Sequence, residues 1–279
     1  KYGGSLYAGY FDKSSYRLKL DQWTGSSWKN VYISSVQAGS FGLSSSSDGI
    51  YLTYSDANGK NLYACRYSSR GMETLGSRVC QGNYISNPSI AAENGKIVVS
   101  YRGDWAEELY VKSYDSSSRT WKDVGNLPLK GALGKIRLHN NRIYLLKTGS
   151  YTVQASDLYM YDLSQANGSW KQIGNGPFAN ENAPSEYDLC FYKDDPHVIY
   201  YGASSGAVWV KNVVDGSWAT LGGKVASETV GGLRAFSHGG NIYTTYYSTG
   251  SNVAYIREHV VNSTGNAPEG GGNTGGNTG

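Results

Sequence analysis

With 279 residues, 39% of them hydrophobic, 13% aromatic and 17% charged, the chain has enough apolar matter for a folded core and too little charge for a polyelectrolyte. A net charge of +3, with Lys and Arg scattered among Asp and Glu, excludes an electrostatic nucleic-acid binder. The absence of any run of about 18 apolar residues excludes a membrane-spanning helix.

Taken in order, residues 1–33 hold three strand-like runs, SLYAGYF, YRLKLDQW and SSWKNV, and lack an inner fourth. Residues 34–76 hold SFGLSSS, GIYLTYS, NLYACRY and METLG, with Asp56-Ala57-Asn58-Gly59 as the middle turn. Next come SIAAE, KIVVSYR, ELYVKSY and TWKDVG, up to about residue 125. The clearest unit follows: GKIRLHNN, RIYLLK, DLYMYDL and SWKQIG, with Asn167-Gly168 as a strong hairpin signal. Residues 175–222 hold YDLCFYK, HVIYYGA, AVWVKNV and SWATLG behind a long entry loop, and LRAFSH, NIYTTYY and VAYIREHV close the series. Each run is short, rich in β-branched and aromatic residues, and bounded by Gly, Asn, Asp or Ser.

Two beats show that these runs repeat. An aliphatic opens the second strand of each unit: Leu6, Ile50, Ile97, Ile143, Val198 and Ile242. A large residue followed by an aliphatic, and usually Gly, marks the outer strand: Trp28…Val31, Met72…Leu75-Gly76, Trp121…Val124-Gly125, Trp170…Ile173-Gly174 and Trp218…Leu221-Gly222. Both recur at a period in the forties, apart from the step from Ile143 to Val198 that the long entry loop lengthens, and this is the signature of a β-propeller. The expected fold is therefore all-β: six blades of four-stranded antiparallel sheets over residues 1–261, with seven blades as the alternative. Residues 262–279 read as a flexible Gly/Asn/Thr linker. Lys1 stands almost inside a strand, as if an upstream part had been removed. Together these features predict a monomeric module, tethered to further domains of a secreted or cell-surface protein.

Three cysteines make no disulfide framework. Cys65 falls in a third strand and Cys80 in the loop after a fourth, so a bridge is not expected, and Cys190 is expected to be buried as a small apolar residue. Gly202-Ala203-Ser204-Ser205-Gly206 matches a nucleophile-elbow pattern, but it joins two strands where that chemistry needs a strand-to-helix turn.

In a propeller, the loops leading to each inner strand and those between the middle strands gather on one face. That nominates segments 31–40, 55–60, 77–88 and 102–108 among others, since loops on a rigid scaffold carry function. The hairpin tip Arg102-Gly103-Asp104-Trp105-Ala106-Glu107 has a Trp with no counterpart in the repeat. A Trp beside carboxylates suits the apolar face and hydroxyls of a sugar, so Arg102, Asp104, Trp105 and Glu107 are candidate ligand contacts. The long entry loop adds Phe178 and Tyr187 as stacking platforms and Glu181 and Glu186 as a carboxylate pair. Tyr151 and Tyr247 occupy comparable loops. No catalytic set, metal site or cofactor motif assembles. The leading expectation is a non-enzymatic module binding carbohydrate, or protein next. The alternative is a glycoside hydrolase or lyase using Asp104, Glu107, Glu181 and Glu186.

The order NGKIVVSY, ELYVKSYD, TWKDVG resembles a kelch-type repeat, with Gly103 alone standing where such repeats carry a double Gly; the resemblance implies a propeller. Val214-Asp215-Gly216-Ser217-Trp218 is similar to the sialidase Asp-box turn, without its Ser-x-Asp-x-Gly spacing, and implies no sialidase activity. In architecture the chain resembles six-bladed fungal fucose-binding lectins.

Overall fold

The computed structural model describes residues 1–103, 107–125, 129–149, 155–165, 168–179 and 186–260. Among the described residues there is no helix, and 23 strands carry the fold. β1 (Tyr7–Phe11), β2 (Arg17–Trp23), β3 (Trp28–Ser46), β4 (Gly49–Asp56), β5 (Asn61–Ser68) and β6 (Gly71–Thr74) lie in that order in one sheet, with short β7 (Cys80–Gln81) beside β5. β8 (Ser86–Glu93), β9 (Lys96–Gly103), β10 (Glu108–Asp115) and β11 (Thr120–Asp123) form the next, with β12 (Leu129–Lys130) beside β10. The third is β13 (Gly134–His139), β14 (Arg142–Lys147), β15 (Asp157–Asp162) and β16 (Lys171–Ile173). The fourth is β17 (Tyr187–Tyr192), β18 (Asp195–Gly202), β19 (Ala207–Val214) and β20 (Ser217–Thr220). The last is the three-stranded β21 (Val230–His238), β22 (Asn241–Ser248) and β23 (Ala254–Val260).

Tight antiparallel hairpins follow from the turn residues. Asn94-Gly95, Asn140-Asn141 and Asp215-Gly216 all place two consecutive residues at positive φ, the backbone whose twist matches paired strands. Gly202–Gly206 links β18 to β19 as a strand-to-strand turn, with Ser205 Oγ donating to the Gly202 carbonyl and accepting from Trp209 Nε1.

Two strands were expected over SSWKNV and SFGLSSS, with a connection across 31–40; the chain instead runs through as the single strand β3. Its first half pairs with β2, from Trp28 opposite Trp23 to Gln37 opposite Arg17. Its second half pairs with β4, from Ala38 opposite Asp56 to Ser46 opposite Gly49, and the register slips at Gly39. The stretch VYISSVQ has β-branched residues and no Pro, so the backbone stays extended while it changes partners. The strands β7 and β12, two residues each, are too short for an alternation to show.

The described chain forms two compact units, Lys1–Val153 with Tyr159–Lys171, and Gln154–Leu158 with the chain from Gln172 onward. In the first unit, three cores lie between the faces of successive repeats. Leu18 and Leu20 pack with Ile50, Leu52 and Cys65; Tyr51, Leu62 and Leu75 with Ile90, Ile97 and Val99; Val98, Val111 and Val124 with Ile136, Ile143 and Leu145. In the second unit, Ile199, Val208 and Leu221 pack with Leu233, Ile242 and Tyr246. Cys65 and Cys190 are buried in these cores and Cys80 is half-buried, all three as free thiols; burial pushes the Cys65 thiol up to about 12.

The Trp-and-Gly beat has a physical cause. Trp121 Nε1 donates to the Leu75 carbonyl at 2.8 Å and Trp170 Nε1 to the Val124 carbonyl at 3.2 Å in the first unit; Trp218 Nε1 donates to the Gly176 carbonyl at 3.1 Å in the second. Each indole lies against a glycine at positive φ: Gly76, Gly125 and Gly174 respectively. Any side chain at those glycines would occupy the space that the ring or its strand fills, so the Trp of one repeat requires the Gly of the one before.

Candidate functional site

The first unit carries a groove of about 530 Å³ where β4 and β9 end and β8 begins. It falls on the nominated segments 31–40, 55–60 and 77–88 and on Arg102. One wall is the turn Asp56-Ala57-Asn58-Gly59, the other is Tyr84-Ile85-Ser86-Asn87, and Gly39, Ser40, Ser55 and Arg102 complete it.

The first wall is held by its own backbone. Asp56 Oδ1 accepts from the Lys60 N–H at 2.8 Å and the Asn61 N–H at 3.3 Å, and Oδ2 accepts from Asn61 Nδ2 at 2.8 Å. The Ala57 N–H donates to the Gln37 carbonyl and the Gly59 N–H to the Asp56 carbonyl. Gly59 sits at φ +62, and a Cβ there would lie 3.2 Å from the Ile85 carbonyl oxygen. That close approach lets the Ile85 N–H donate to the Gly59 carbonyl at 2.8 Å, joining the two walls. Ser40 and Ser55 hydroxyls meet at 2.9 Å. Ile85 is buried, Asn58 and Asn87 are exposed, and Tyr84 shows 49% of its surface.

Tyr84 (φ 56) and Asn87 (φ 48) both adopt the left-handed backbone. For Asn this is common; for a bulky Tyr it costs on the order of 1–3 kcal/mol, and such strain concentrates at functional sites. Arg102 lines the groove half-buried, and among the described residues its guanidinium has no hydrogen bond or ion pair. The groove thus offers an aromatic ring, amide and hydroxyl groups, and five N–H donors in a rigid fork. Asp56 is the carboxylate among its described lining residues, and both its oxygens are already hydrogen-bonded.

Of the other sequence-predicted residues, the described ones lie outside the groove lining. Asp104, Trp105, Tyr151 and Glu181 lie outside the described residues. Glu107 sits at φ 54, and its carbonyl accepts from the Gly131 N–H at 2.9 Å. Phe178, expected as a stacking platform, is instead a core residue, 1% exposed, edge-on to Trp218 at 5.8 Å and tilted against Tyr200 at 5.4 Å. Tyr187 is likewise buried, and burial pushes its phenol well above the usual range. Glu186 is tied to the framework: its Oε2 accepts from the Leu233 N–H at 2.9 Å. Neighbouring Asp188 does the same for the Ala235 N–H at 3.1 Å. Tyr247 is half-exposed, with its ring over Gly231, where a Cβ would come within 2.5 Å of it. In sequence Tyr84 occupies a loop comparable to those of Tyr151 and Tyr247 and reads as structural, while Asn58 and Asn87 carry no signal beyond the Asn-Gly of the 56–59 turn, which reads as turn chemistry.

Fold and groove together define an all-β protein of several antiparallel sheets, its first unit carrying a polar-aromatic cleft at the strand ends. No family model and no curated protein matches the chain. Among solved structures it is similar to the lectin SapL1, determined in complex with alpha methyl fucoside, at 15% identity and a TM-score of 0.63, over 95% of this chain and 92% of that one. At that identity the likeness establishes a shared fold.

Proposed function

We propose that the chain is a non-enzymatic carbohydrate-binding module, built as a six-bladed β-propeller, and that it holds its saccharide in the groove of the first unit. The observation that carries this reading is Arg102, a guanidinium lining a groove with no protein partner among the described residues. Around it stand the half-exposed ring of Tyr84 and the polar ends of Asn58 and Asn87. An aromatic face for the sugar's C–H surface, with a few fixed polar groups for its hydroxyls, is how saccharides are recognised. The fold shared with a lectin supports the same reading. Glycoside hydrolysis needs two carboxyl groups about 5–9.5 Å apart, and the groove's described lining supplies one, already engaged. The Gly/Asn/Thr-rich composition of residues 262–279 suits a flexible tether, and a secreted or cell-surface setting is part of the same proposal.

A glycan array with the purified chain, followed by titration calorimetry on the best ligand, tests this. Arg102→Ala removes charge-assisted hydrogen bonds of about 1.5–3 kcal/mol, hence roughly 10–100-fold in affinity, and Tyr84→Ala lowers affinity as well. An array without binding, or a ligand held equally well by both variants, refutes the proposal.

A further inference from the structure

The groove of the first unit holds a cation that the protein itself leaves uncompensated. Lys19, Arg66 and Lys112 of the same unit are half-buried like Arg102, and each is ion-paired. Lys19 pairs with Asp12, Arg66 with Asp48 at 3.1 Å and Glu73 at 2.7 Å, and Lys112 with Asp123 at 2.7 Å. Arg102 forms no such pair among the described residues. A cation withdrawn from bulk water and left without an anion is costly to keep.

Strand register sets where it stands. Ser86 of β8 lies opposite Arg102 of β9, and the register slips between Ser86 and Ser89. Asn87 falls in that slip and Tyr84 lies just ahead of it, so the guanidinium, the amide and the ring line one cleft. The cleft's described carboxylate is committed elsewhere. Asp56 Oδ1 accepts from the Lys60 and Asn61 N–H groups and Oδ2 from Asn61 Nδ2, which turns its charge into its own loop. The Ser40 and Ser55 hydroxyls are bonded to each other. Beside the same loop, Arg78 donates to Asn61 Oδ1 at 3.2 Å, and Lys60 follows Gly59; both cations are exposed. Loop and cleft together set Asp56 against Lys60, Arg78 and Arg102, an excess of positive charge.

Resting on the carbohydrate-binding reading above, we infer that the saccharide taken by this groove is anionic, with a carboxylate or a sulfate ester seated on the Arg102 guanidinium. The guanidinium presents parallel N–H donors in a planar fork, and two oxygens of one anion satisfy them at once. A neutral hydroxyl meets a single donor and brings no charge. Closing the groove over a neutral sugar would therefore strip water from the cation without replacing it. An acidic sugar supplies the missing anion while its C–H face lies on the half-exposed ring of Tyr84. Asn58 and Asn87 are left for its hydroxyls, each with both donor and acceptor capacity.

The test is a glycan array of matched pairs on the full chain: uronic-acid oligosaccharides with their methyl esters, and sulfated galactosides with their unsulfated parents. Calorimetry on the strongest pair then gives the ratio of affinities. The acidic member should bind roughly 10–100-fold tighter than its neutral partner, and which arm binds identifies the anion. Raising the salt concentration should weaken the acidic member and leave the neutral one nearly unchanged. Arg102→Gln should bring the ratio close to one, and Arg102→Lys, which keeps the charge without the fork, should retain part of it; unchanged thermal melting shows that both variants are folded. Neutral glycans bound as tightly as acidic ones, or a ratio that survives Arg102→Gln, overturns the anionic ligand and leaves the carbohydrate-binding reading standing. An array on which no glycan binds overturns both.

Discussion

Gly174→Ala isolates the contact that joins one repeat to the next. An added Cβ would lie 2.5 Å from Trp218 Nε1, 2.9 Å from its Cδ1 and 3.0 Å from its Cε2, on a backbone at φ +79. Gly216→Ala is the matched control, at φ +77 with nothing within 4 Å. The left-handed backbone costs an alanine about 1–2 kcal/mol at either site. At Gly174 the indole must also move, adding about 1–3 kcal/mol of overpacking. Its bond to the Gly176 carbonyl is then lost, for about 1 kcal/mol more. Equilibrium unfolding in urea should therefore show Gly174→Ala less stable than Gly216→Ala by about 2–4 kcal/mol. In a Trp218→Ala background the same glycine change should cost only the backbone term, since the clash is gone. Equal destabilisation by the two alanines, or a cost at Gly174 that survives removal of the indole, would refute the latch.

Further outcomes follow from burial. Phe178→Ala should lower stability by about 3–5 kcal/mol while leaving saccharide affinity unchanged, measured by denaturant titration and calorimetry; weakened binding in a fully folded sample would return Phe178 to the site. His197 and His259 are both held below the ordinary imidazole value by burial, and His197 Nε2 is buried without a partner. A depressed folded pKa means that the unfolded chain binds more protons, so stability is full above about pH 6.5 and is lost as pH falls through the folded values. Thermal midpoints should drop between about pH 7.5 and 5.5, and less so in His197→Phe; an unchanged drop would exclude this imidazole as a cause. Iodoacetamide with mass spectrometry should leave Cys65 and Cys190 unlabelled in the folded chain and label all three thiols in denaturant. Early labelling of Cys65 would contradict its place in the core.

Most of the strands are legible because the same kinds of run recur along the sequence. An aliphatic every forty-odd residues, two-residue turns such as Asn94-Gly95 and Asp215-Gly216, and the paired Trp and Gly are all local signals that recurrence reinforces. What recurrence could not show was β3, where the break expected between repeats carries no Pro or tight turn and the strand continues. The candidate site was legible by segment and poorly by residue. Arg102 is nominated as part of the 102–107 stretch, and near the end of β9 it lines the groove. Phe178 and Tyr187 were nominated by residue type, and whether an aromatic in a long loop points outward or into the sheets depends on contacts with strands distant in sequence. Glu186 shows the same limit: a loop carboxylate and a carboxylate holding the Leu233 amide read alike in one dimension.

The indole bonds reach main-chain carbonyls and a glycine, never a neighbouring side chain. Mutational drift in the partner strand can therefore run through almost any residue without disturbing them. It also turns Trp121, Trp170 and Trp218 into built-in optical reporters, each sensing detachment at its own seam.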